Sequence, residues 1–279
     1  MYKKLKILLW NVWLLPSFIT DGKSKERAAM ISKLLNDFDI VVLNEAFTNK
    51  YSLTKDVIHP YTIKTPRTFY KILDSGLMIL SKYPIEEIHF LPFSELETWD
   101  QFSSKGVLKL IVNLGNNLKM DIYGTHLQAG SEESHHRARL SQVNEVYQFV
   151  KNHSQFNIHP IVLCGDLNCG PVLDRTFNHF SNHYENAVDA KNRDYQYRTL
   201  VSSLDLQELY CPGKEEDICR FLFKDGVLST LSDLKLSYIK LNGPNNEILS
   251  DTSPVLLELT INGKEVVQER SKKLTINSI

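Results

Sequence analysis

Residues 118–168 decide the fold class, because they carry LKMDIYGTHLQ (118–128), SHHRARLSQVNEVYQFVKNH (134–153) and HPIVLCGDLN (159–168) in succession. The first and third segments are short apolar runs of strand length that end on polar residues. The middle segment is a long helix with one apolar face, formed by Leu140, Val143, Val146, Tyr147 and Val150. Strand, amphipathic helix and strand in this order indicate a layered α/β fold.

The same alternation extends outward in both directions. Towards the N-terminus, LKILLWNVW (5–13) predicts a strand, KERAAMISKLLNDF (25–38) an amphipathic helix and DIVVLNEAF (39–47) a second strand. Further strands are predicted at SGLMILSKYPI (75–85), KGVLKLIVNL (105–114), ICRFLFKDG (218–226), LKLSYIKLN (234–242) and PVLLELTING (254–263). Residues 171–217 are less regular. Since no repeat or linker interrupts the chain, we predict one domain over residues 1–263 and a polar tail over 264–279.

Composition and charge restrict the class of protein. The chain has 279 residues, of which 42% are apolar and 23% charged, an ordinary globular composition. Its net charge is −1, with 32 basic and 33 acidic residues. Proteins that bind nucleic-acid backbones usually carry a positive excess, so this balance disfavours a nucleic-acid partner.

The cysteines and the N-terminus bear on the compartment. The four cysteines are too sparse for a disulfide framework, and free thiols are favoured over a bridge between Cys211 and Cys219. MYKKLKILLWNVWLLP (1–16) has lysines before an apolar run, but Trp10, Asn11 and Trp13 interrupt the run, and no small-residue cleavage site follows. We therefore expect a strand there, no transmembrane segment, and a cytoplasmic-type protein or one exported without a classical signal peptide.

Polar residues recur where the predicted strands end. They are Asn11, Glu45, His126, Asp166, Asn168 and Asp251. Each alone has an ordinary explanation, such as a turn cap, a surface acid or a hydrogen-bonded core histidine. As a set they point to a site, because carboxylate and amide oxygens are the ligands that Mg²⁺ prefers and strand ends are where sites of α/β folds assemble.

These segments resemble those of the endonuclease/exonuclease/phosphatase superfamily, and within it the neutral sphingomyelinase branch. The matching motifs occur in the family's order from residue 7 to about residue 260. They are WNVW (10–13) with Pro16, LNEAF (43–47), SGLMILSKYPI (75–85), SKGVLKLIV (104–112), GTHLQAG (124–130), RLSQ (139–142), CGDLN (164–168) and SDTSPV (250–255). GTHLQAG and SGLMILSKYPI resemble the sphingomyelinase branch in particular.

The resemblance implies a four-layered α/β sandwich of two packed, mostly antiparallel mixed sheets flanked by helices. It also implies Mg²⁺ as the cofactor, with Mn²⁺ or another divalent cation as alternatives. By the same resemblance, Glu45, Asn11 and Asp251 hold the metal, and His126, Asp166, Asn168 and Asp251 act in catalysis. His126, Asn168 and Lys105 contact phosphate, although a lone lysine before a strand is usually solvated.

The chain departs from the family pattern at Thr252 and at Arg220. Thr252 stands where the SDH signature has its general-base histidine, and no histidine follows His183. A threonine hydroxyl does not accept a proton near pH 7, and removing a general base costs about 10²–10⁴ in rate. Arg220 of ICRFLF matches the aspartate that orients this histidine in an RLDYIF-like strand, so both departures would affect one function.

Three interpretations follow from Thr252. The chain is an active phosphodiesterase with another base, Asp166 being the best candidate, or it acts on a substrate with a better leaving group, or it is a pseudoenzyme that binds phospholipid or a protein partner. The leading hypothesis is Mg²⁺-dependent hydrolysis of a phospholipid or related phosphodiester, and a nuclease is disfavoured.

A lipid enzyme also needs a surface that contacts the membrane. The segment HFLPFSELETWDQF (89–102) carries Phe90, Leu91, Phe93, Trp99 and Phe102, and aromatic residues favour the membrane interface. We therefore expect peripheral membrane contact through residues 90–102, with an ordinary loop folded over the core as the alternative. The sequence does not define the oligomeric state.

Overall fold

The computed structural model describes residues 1–17, 19, 23–154, 158–171, 187–209 and 218–264. Its helices are α1 (Ser24–Leu34), α2 (Lys50–Thr54), α3 (Glu133–His153) and α4 (Ala187–Leu204). Its strands are β1 (Tyr2–Asn11), β2 (Ile40–Asn44), β3 (Tyr61–Lys64), β4 (Met78–Ser81), β5 (Ile85–Pro92), β6 (Gly106–Gly115), β7 (Leu118–His126), β8 (Ile161–Asp166), β9 (Gln207–Glu208), β10 (Cys219–Lys224), β11 (Ser229–Tyr238) and β12 (Val255–Gly263).

Within the described residues the strands form two six-stranded sheets. The first has the order β11-β12-β1-β2-β4-β3 and the second β5-β6-β7-β8-β10-β9. Most neighbouring strands are antiparallel, but β1 runs parallel to β2, and β7 runs parallel to β8. Both sheets are therefore mixed, and the α/β sandwich expected from the sequence is confirmed.

Three apolar clusters hold the layers together. The central one lies between the sheets and joins residues such as Leu9 and Val42 of the first sheet to Ile122 and Val162 of the second. A second cluster packs α3 and α4 on the outer face of the second sheet. A third packs α1 and α2 on the outer face of the first. Because β2 and β8 are covered on both faces, IVVL and IVLC are continuous apolar runs, and the same holds for the ILLW half of β1, whereas β7 also carries Lys119 and Asp121.

The two parallel pairs bring the polar strand ends together. A parallel pair requires a crossover connection; α1 lies in the one between β1 and β2, and α3 in the one between β7 and β8. Their register sets Asn11 beside Asn44 in the first sheet and His126 beside Asp166 in the second. The carboxyl ends of four strands, two from each sheet, thus meet at one edge of the sandwich.

Several predicted boundaries were wrong. SGLMILSKYPI is not one strand, because the chain bends at residues 82–84, so that β4 belongs to the first sheet and β5 to the second. The strand predicted over 234–242 begins earlier, at Ser229, and ends at Tyr238. The irregular region 171–217 contains the helix α4.

Other expectations remain predictions. Cys211 and all of the tail except Lys264 lie outside the described residues, so the alternative of a Cys211–Cys219 bridge and the domain boundary at 263 are not tested. Cys164 and Cys169 are buried, and burial raises the pKa of both thiols. Among the helices of the described ranges, none has the length and apolar character needed to cross a bilayer.

Candidate active site

Asn44 joins the two sheets beneath the site. It is fully buried at the end of β2, donates from Nδ2 to the carbonyl of Thr125 at 2.9 Å, and accepts at Oδ1 from the backbone N–H of Asp166 at 3.0 Å. A buried polar group needs such partners, because leaving it unpaired costs free energy. These two hydrogen bonds fix the ends of β2, β7 and β8 relative to one another. The sequence signal was an asparagine that ends a fully apolar strand, and we had not singled it out.

Above Asn44, the side chains of Glu45, His126 and Asp166 form one cluster. Each offers a ligand atom, and these atoms lie within 4.8 Å of one another. His126 Nε2 is 4.0 Å from Glu45 Oε1 and 4.0 Å from Asp166 Oδ2. Residues separated by 121 positions in the chain thus lie together at one edge of the sandwich.

Asn11 holds the two carboxylates in place. Its Nδ2 donates to Glu45 Oε1 at 2.8 Å and to Asp166 Oδ2 at 3.0 Å. Its Oδ1 accepts from the backbone N–H of Trp13 at 3.1 Å, which fixes the orientation of the amide. Asn11 is therefore the group that positions both carboxylates.

The backbone around the cluster is strained. Trp13, Glu45 and Asn168 have φ angles of 50°, 55° and 47°, in the left-handed region that residues with a Cβ rarely adopt. Conformations of this kind cost about 1–3 kcal/mol each and concentrate at functional sites. Three of them within one cluster indicate that the fold retains this geometry at a cost in stability.

The cluster has excess negative charge. Burial raises the pKa of Glu45 to about 7, and the neighbouring carboxylates of Asp166 and Asp251 raise it further, while Asn11 and Lys105 oppose the shift. The donors are oxygen atoms of carboxylates and an amide, which is the set that Mg²⁺ binds. A divalent cation would neutralise the charge that raises the pKa of Glu45, so the residues present fit such an ion.

A buried lysine stands behind His126. Lys105 is 2% exposed, donates to Asp100 Oδ2 at 2.8 Å, and lies 3.1 Å from His126 Nε2. Burial, and then the charge of Lys105, hold the pKa of His126 well below its usual range, so the imidazole is neutral. Lys105 is therefore not the solvated lysine that the alternative interpretation would require, and it places a positive charge next to the histidine.

Asn168 is held from three sides. Its backbone N–H donates to Asp166 Oδ1 at 3.1 Å, and its Nδ2 donates to the carbonyl of Leu127 at 3.1 Å. Arg193 of α4 donates to the Asn168 carbonyl at 2.8 Å and to the Gly130 carbonyl at 3.2 Å. Arg193 thus ties the loop after β8 to the loop after β7. We had not identified it, because α4 lies in a region whose sequence pattern looked irregular.

The loop with Asp251 and Thr252 is attached to the end of β1. Ser250 Oγ donates to the carbonyl of Asn11 at 2.6 Å, and Trp10 Nε1 donates to the carbonyl of Thr252 at 3.1 Å. Thr252 Oγ1 donates to Asp251 Oδ1 at 3.2 Å. Asp251 is exposed and Thr252 half-buried. The loop therefore lies beside the carboxylate cluster, where a threonine hydroxyl hydrogen-bonds to an acid.

The side chain of Arg220 lies on the face of β10 that points away from the core between the sheets. In β10, Cys219 and Phe221 face the core between the sheets, whereas Leu222 faces the helices. The Arg220 guanidinium lies 5.8 Å from the centre of the Tyr197 ring in α4. Because side chains alternate along a strand, a carboxylate at position 220 would extend towards α4. The side chain that shares a face with Asp166 at this register is Cys219.

The segment 90–102 divides into two parts. Phe93 is buried, and Phe90 and Leu91 pack against the core clusters, so these three side chains do not provide the expected membrane contact. Consecutive side chains of β5 lie on opposite faces, so Phe90 packs on the cluster between the sheets and Leu91 on the cluster beneath α3 and α4, which Phe93 joins just after the strand. Trp99 and Phe102 lie on the following short 3₁₀ helix and are 70% and 41% exposed.

The chain is similar in sequence to a known protein family and to several characterised proteins. Residues 8–199 match the sequence profile described as the Endonuclease/Exonuclease/phosphatase family. Sphingomyelin phosphodiesterase 2 of Mus musculus is 28% identical over 190 residues, which cover 60% of this chain and 42% of that protein. Sphingomyelinase C of Bacillus cereus is 27% identical over 199 residues, which cover 60% of this chain and 58% of that protein. The chain thus spans less than two thirds of the length of these relatives.

Solved structures share the fold. The crystal structure of SmcL has a TM-score of 0.69 at 19% identity and covers 91% of this chain and 98% of its own. A beta toxin variant from Staphylococcus aureus, solved with bound magnesium ions, has a TM-score of 0.66 at 20% identity and covers 91% of this chain and 99% of its own. At these identities the likeness concerns the fold alone.

Proposed function

We propose that this chain, which belongs to the endonuclease/exonuclease/phosphatase family, is a divalent-metal-dependent phosphodiesterase of the sphingomyelinase-like kind. The substrate would be a phospholipid or a related phosphodiester, and the product a phosphorylated head group. The observation that carries the proposal is the cluster of Glu45, His126 and Asp166, whose ligand atoms lie within 4.8 Å of one another. Its curated relatives are named as sphingomyelin phosphodiesterases and sphingomyelinases, which supports a hydrolase.

The metal ligands would be Glu45, Asn11 and Asp251, and Mg²⁺ is the ion that their oxygen atoms suit best. Bound Mg²⁺ would neutralise charge on the phosphate oxygens as it develops. Glu45 supports this assignment, because burial, with smaller contributions from Asp166 and Asp251, raises its pKa to about 7, and a bound cation would stabilise its ionised form. Asp251 is exposed, and its charge makes the smallest contribution to that shift, which supports its assignment as a ligand at the edge of the cluster.

Around the metal, the chain's own residues would bind the phosphate. Lys105 provides a positive charge next to the neutral imidazole of His126. Asn168 uses one amide N–H for the Leu127 carbonyl and carries a second for a phosphate oxygen. Donors that are already oriented stabilise charge in the transition state without further rearrangement.

The proton of the attacking water needs an acceptor other than Thr252. We assign it to Asp166, whose Oδ1 accepts from the Asn168 backbone and whose Oδ2 accepts from Asn11. Both oxygens are thus oriented, and Oδ2 lies 4.0 Å from His126. A carboxylate whose two oxygens are both oriented within the cluster supports this assignment as general base.

The test is phosphodiester hydrolysis by the full chain. Sphingomyelin, a lysophospholipid and a chromogenic phosphodiester are each incubated with Mg²⁺ or with a chelator. We expect Mg²⁺-dependent release of phosphorylated head group from a lipid, and its loss in His126→Ala. No Mg²⁺-dependent release from any of the three substrates would refute the proposal.

A second candidate function rests on Thr252, which donates to Asp251 where the family pattern has a histidine. In this case the chain would bind phospholipid or a protein partner without turnover. Measuring metal binding and hydrolysis on one sample separates the candidates, because only the binding protein shows metal binding without product. A plasmid-nicking assay tests the nuclease, which the net charge of −1 disfavours.

A further inference from the structure

Two neighbouring loops expose an unusual group of large apolar side chains. Phe69 and Tyr70 are each 91% exposed, Ile72 is 66%, Trp99 is 70% and Phe102 is 41% exposed. Other exposed large apolar side chains of the described residues occur singly, such as Ile248, or in adjacent pairs without a contact between rings, such as Met1 with Tyr2 and Val227 with Leu228. Aromatic side chains have about 150–250 Å² of surface each, and isolated ones are normal on a protein surface, whereas a group of this size marks an interaction site.

The two loops form one surface. The backbone N–H groups of Ile72 and Leu73 both donate to the Phe102 carbonyl at 3.0 Å, and Lys71 Nζ donates to the Gln101 carbonyl at 2.7 Å. Within each loop the rings contact each other, with centroids 5.0 Å apart for Phe69 and Tyr70 and 6.0 Å apart for Trp99 and Phe102. We call Phe69, Tyr70, Ile72, Trp99 and Phe102 the aromatic surface.

The aromatic surface lies next to the candidate active site, and both of its loops are anchored there. On one side, Asp100 accepts from Lys105 at 2.8 Å, and Lys105 lies 3.1 Å from His126. On the other side, the Gly76 carbonyl accepts from the backbone N–H of Ala46, the residue after Glu45, at 2.9 Å. A ligand bound on this surface would therefore be close to the carboxylate cluster.

The charges around the surface indicate what would cover it. Lys64, Arg67 and Lys71 are the charged residues of segment 64–73, and basic residues next to apolar ones suit lipid phosphates. Glu95 and Glu97 are exposed before Trp99, so the rim carries both signs. This balance suits a zwitterionic head-group layer, and it disfavours a polyanion such as nucleic acid.

We propose that the aromatic surface inserts into the interface of a zwitterionic phospholipid bilayer and presents lipid head groups to the carboxylate cluster. Exposed aromatic rings flanked by cations are typical of proteins that lie on the interface. This inference rests on the proposed function for its substrate, but the binding itself does not require turnover. In this proposal the membrane contact is formed by Trp99 and Phe102 together with the loop of Phe69, and not by Phe90, Leu91 and Phe93, which pack against the core clusters.

Trp99 provides a direct readout. Trp10 is buried and Trp13 is half-buried, so Trp99 is the exposed one of the three tryptophans. The full chain without divalent cations is mixed with phosphatidylcholine vesicles, which separates binding from hydrolysis. We expect the emission to move to shorter wavelength and to be quenched by lipids with brominated chains. No change in emission on excess vesicles would overturn the proposal.

Two double variants test the location of the surface. Phe69→Ala/Tyr70→Ala should weaken vesicle binding by about a hundredfold, because each buried ring contributes about a factor of ten or more. The matched control, Tyr2→Ala/Val227→Ala, removes exposed apolar side chains from the far end of the strands, about 30 Å from Asn11 by the rise of β1. Co-sedimentation measures both; equal binding by the two variants would assign the contact to another surface and refute the proposal.

Further measurements separate this inference from its alternatives. Mg²⁺-dependent hydrolysis of a soluble diester is followed on the same samples. Vesicle binding without hydrolysis supports the lipid surface and contradicts the proposed function, while hydrolysis without vesicle binding does the reverse. Light scattering reports association; a dimer of the unmodified chain that Phe69→Ala/Tyr70→Ala abolishes would assign the surface to a second copy and overturn the lipid proposal.

Discussion

The substitution Glu45→Gln tests whether the ionised carboxylate of Glu45 destabilises the fold when no cation is bound. The pKa of Glu45 rises from its ordinary value of 4.5 to about 7, chiefly through burial. Its side chain is 17% exposed, so solvent screens it little. A glutamine keeps the shape and still accepts from Asn11, but it carries no charge. The metal-free variant should therefore be more stable than the metal-free natural chain.

The magnitude follows from the pKa shift. At 1.36 kcal/mol per pKa unit, the raised pKa corresponds to a cost of about 3 kcal/mol once the carboxyl is ionised in both states. The carboxyl is protonated in the folded and unfolded chain below about pH 4.5, so the cost is absent there. It grows as the pH rises and is complete above about pH 7. With an unfolding entropy of about 2.1 cal/mol/K per residue over 279 residues, it equals about 5 °C in Tm at pH 8.

The assay is thermal unfolding at pH 5 and pH 8, in chelator and in excess Mg²⁺. In chelator we expect Glu45→Gln to raise Tm by up to about 5 °C at pH 8 and much less at pH 5. Mg²⁺ at a hundred times its Kd should stabilise the natural chain by about 2.7 kcal/mol and the variant by far less. Glu133→Gln, at a side chain that is 74% exposed, is the control and should change stability by no more than about 0.5 kcal/mol. A variant that is no more stable at pH 8, or equally stabilised at pH 5, would refute the reasoning.

Three further predictions concern individual residues. Thr252→His places an imidazole beside Asp251 and should raise kcat on a chromogenic diester at least about tenfold, with Thr252→Val as the control that does not; an unchanged kcat would indicate that this position needs no base. Gly165→Ala should lower the urea midpoint strongly, because its Cβ would lie 1.9 Å from the Thr125 carbonyl oxygen, whereas Gly124→Ala meets only side-chain carbons, at 3.3 Å, and should be milder; comparable midpoints would contradict the register of β7 and β8. Arg193→Lys should weaken Mg²⁺ binding in a calorimetric titration and lower kcat about tenfold, since lysine lacks the forked guanidinium that donates to the carbonyls of Asn168 and Gly130. The control Arg198→Lys, on the same helix but exposed, should change neither quantity. Equal effects of the two substitutions would contradict a specific role of Arg193 at the site.

The central strands were predictable because their sequence signal is strong. A continuous apolar run identified β2, β8 and the second half of β1, and β7 was identified as a short, mostly apolar segment after the turn residues 115–117. The turn at residues 82–84 was not predictable, since Met78–Ser81 and Ile85–Pro92 are both apolar and only tertiary packing sends them to different sheets. α4 was missed because buried arginine, aspartate and glutamine side chains occupy its inner face, which removes the apolar stripe that marks a helix.

The candidate site was accessible to sequence reasoning where its residues end apolar strands. Asn11, Glu45, His126 and Asp166 satisfy this condition, and they meet because the parallel pairs align their ends. The residues behind them carry no such signal. Asn44 resembles any strand-terminal amide, Asp100 lies in a loop, and the role of Arg193 depends on two carbonyls from other loops. For the aromatic surface, the sequence analysis identified Trp99 and Phe102. It could not identify Phe69 and Tyr70, because only the hydrogen bonds between the two loops bring them together.

Thr252 and Glu45 differ in what they imply for the site, since Thr252 concerns proton transfer and Glu45 concerns metal binding. A threonine where the family pattern has a histidine removes a proton acceptor at an edge loop, while Glu45, His126 and Asp166 still lie together in one cluster. The energetically costly part lies elsewhere, in a buried carboxylate with a pKa of about 7 and in three residues with left-handed φ. Without a cation this cluster would only lower the stability of the fold, and a single glutamine would relieve it. Sites of this kind persist where function requires them, so the buried carboxylate supports the proposed metal binding by this chain.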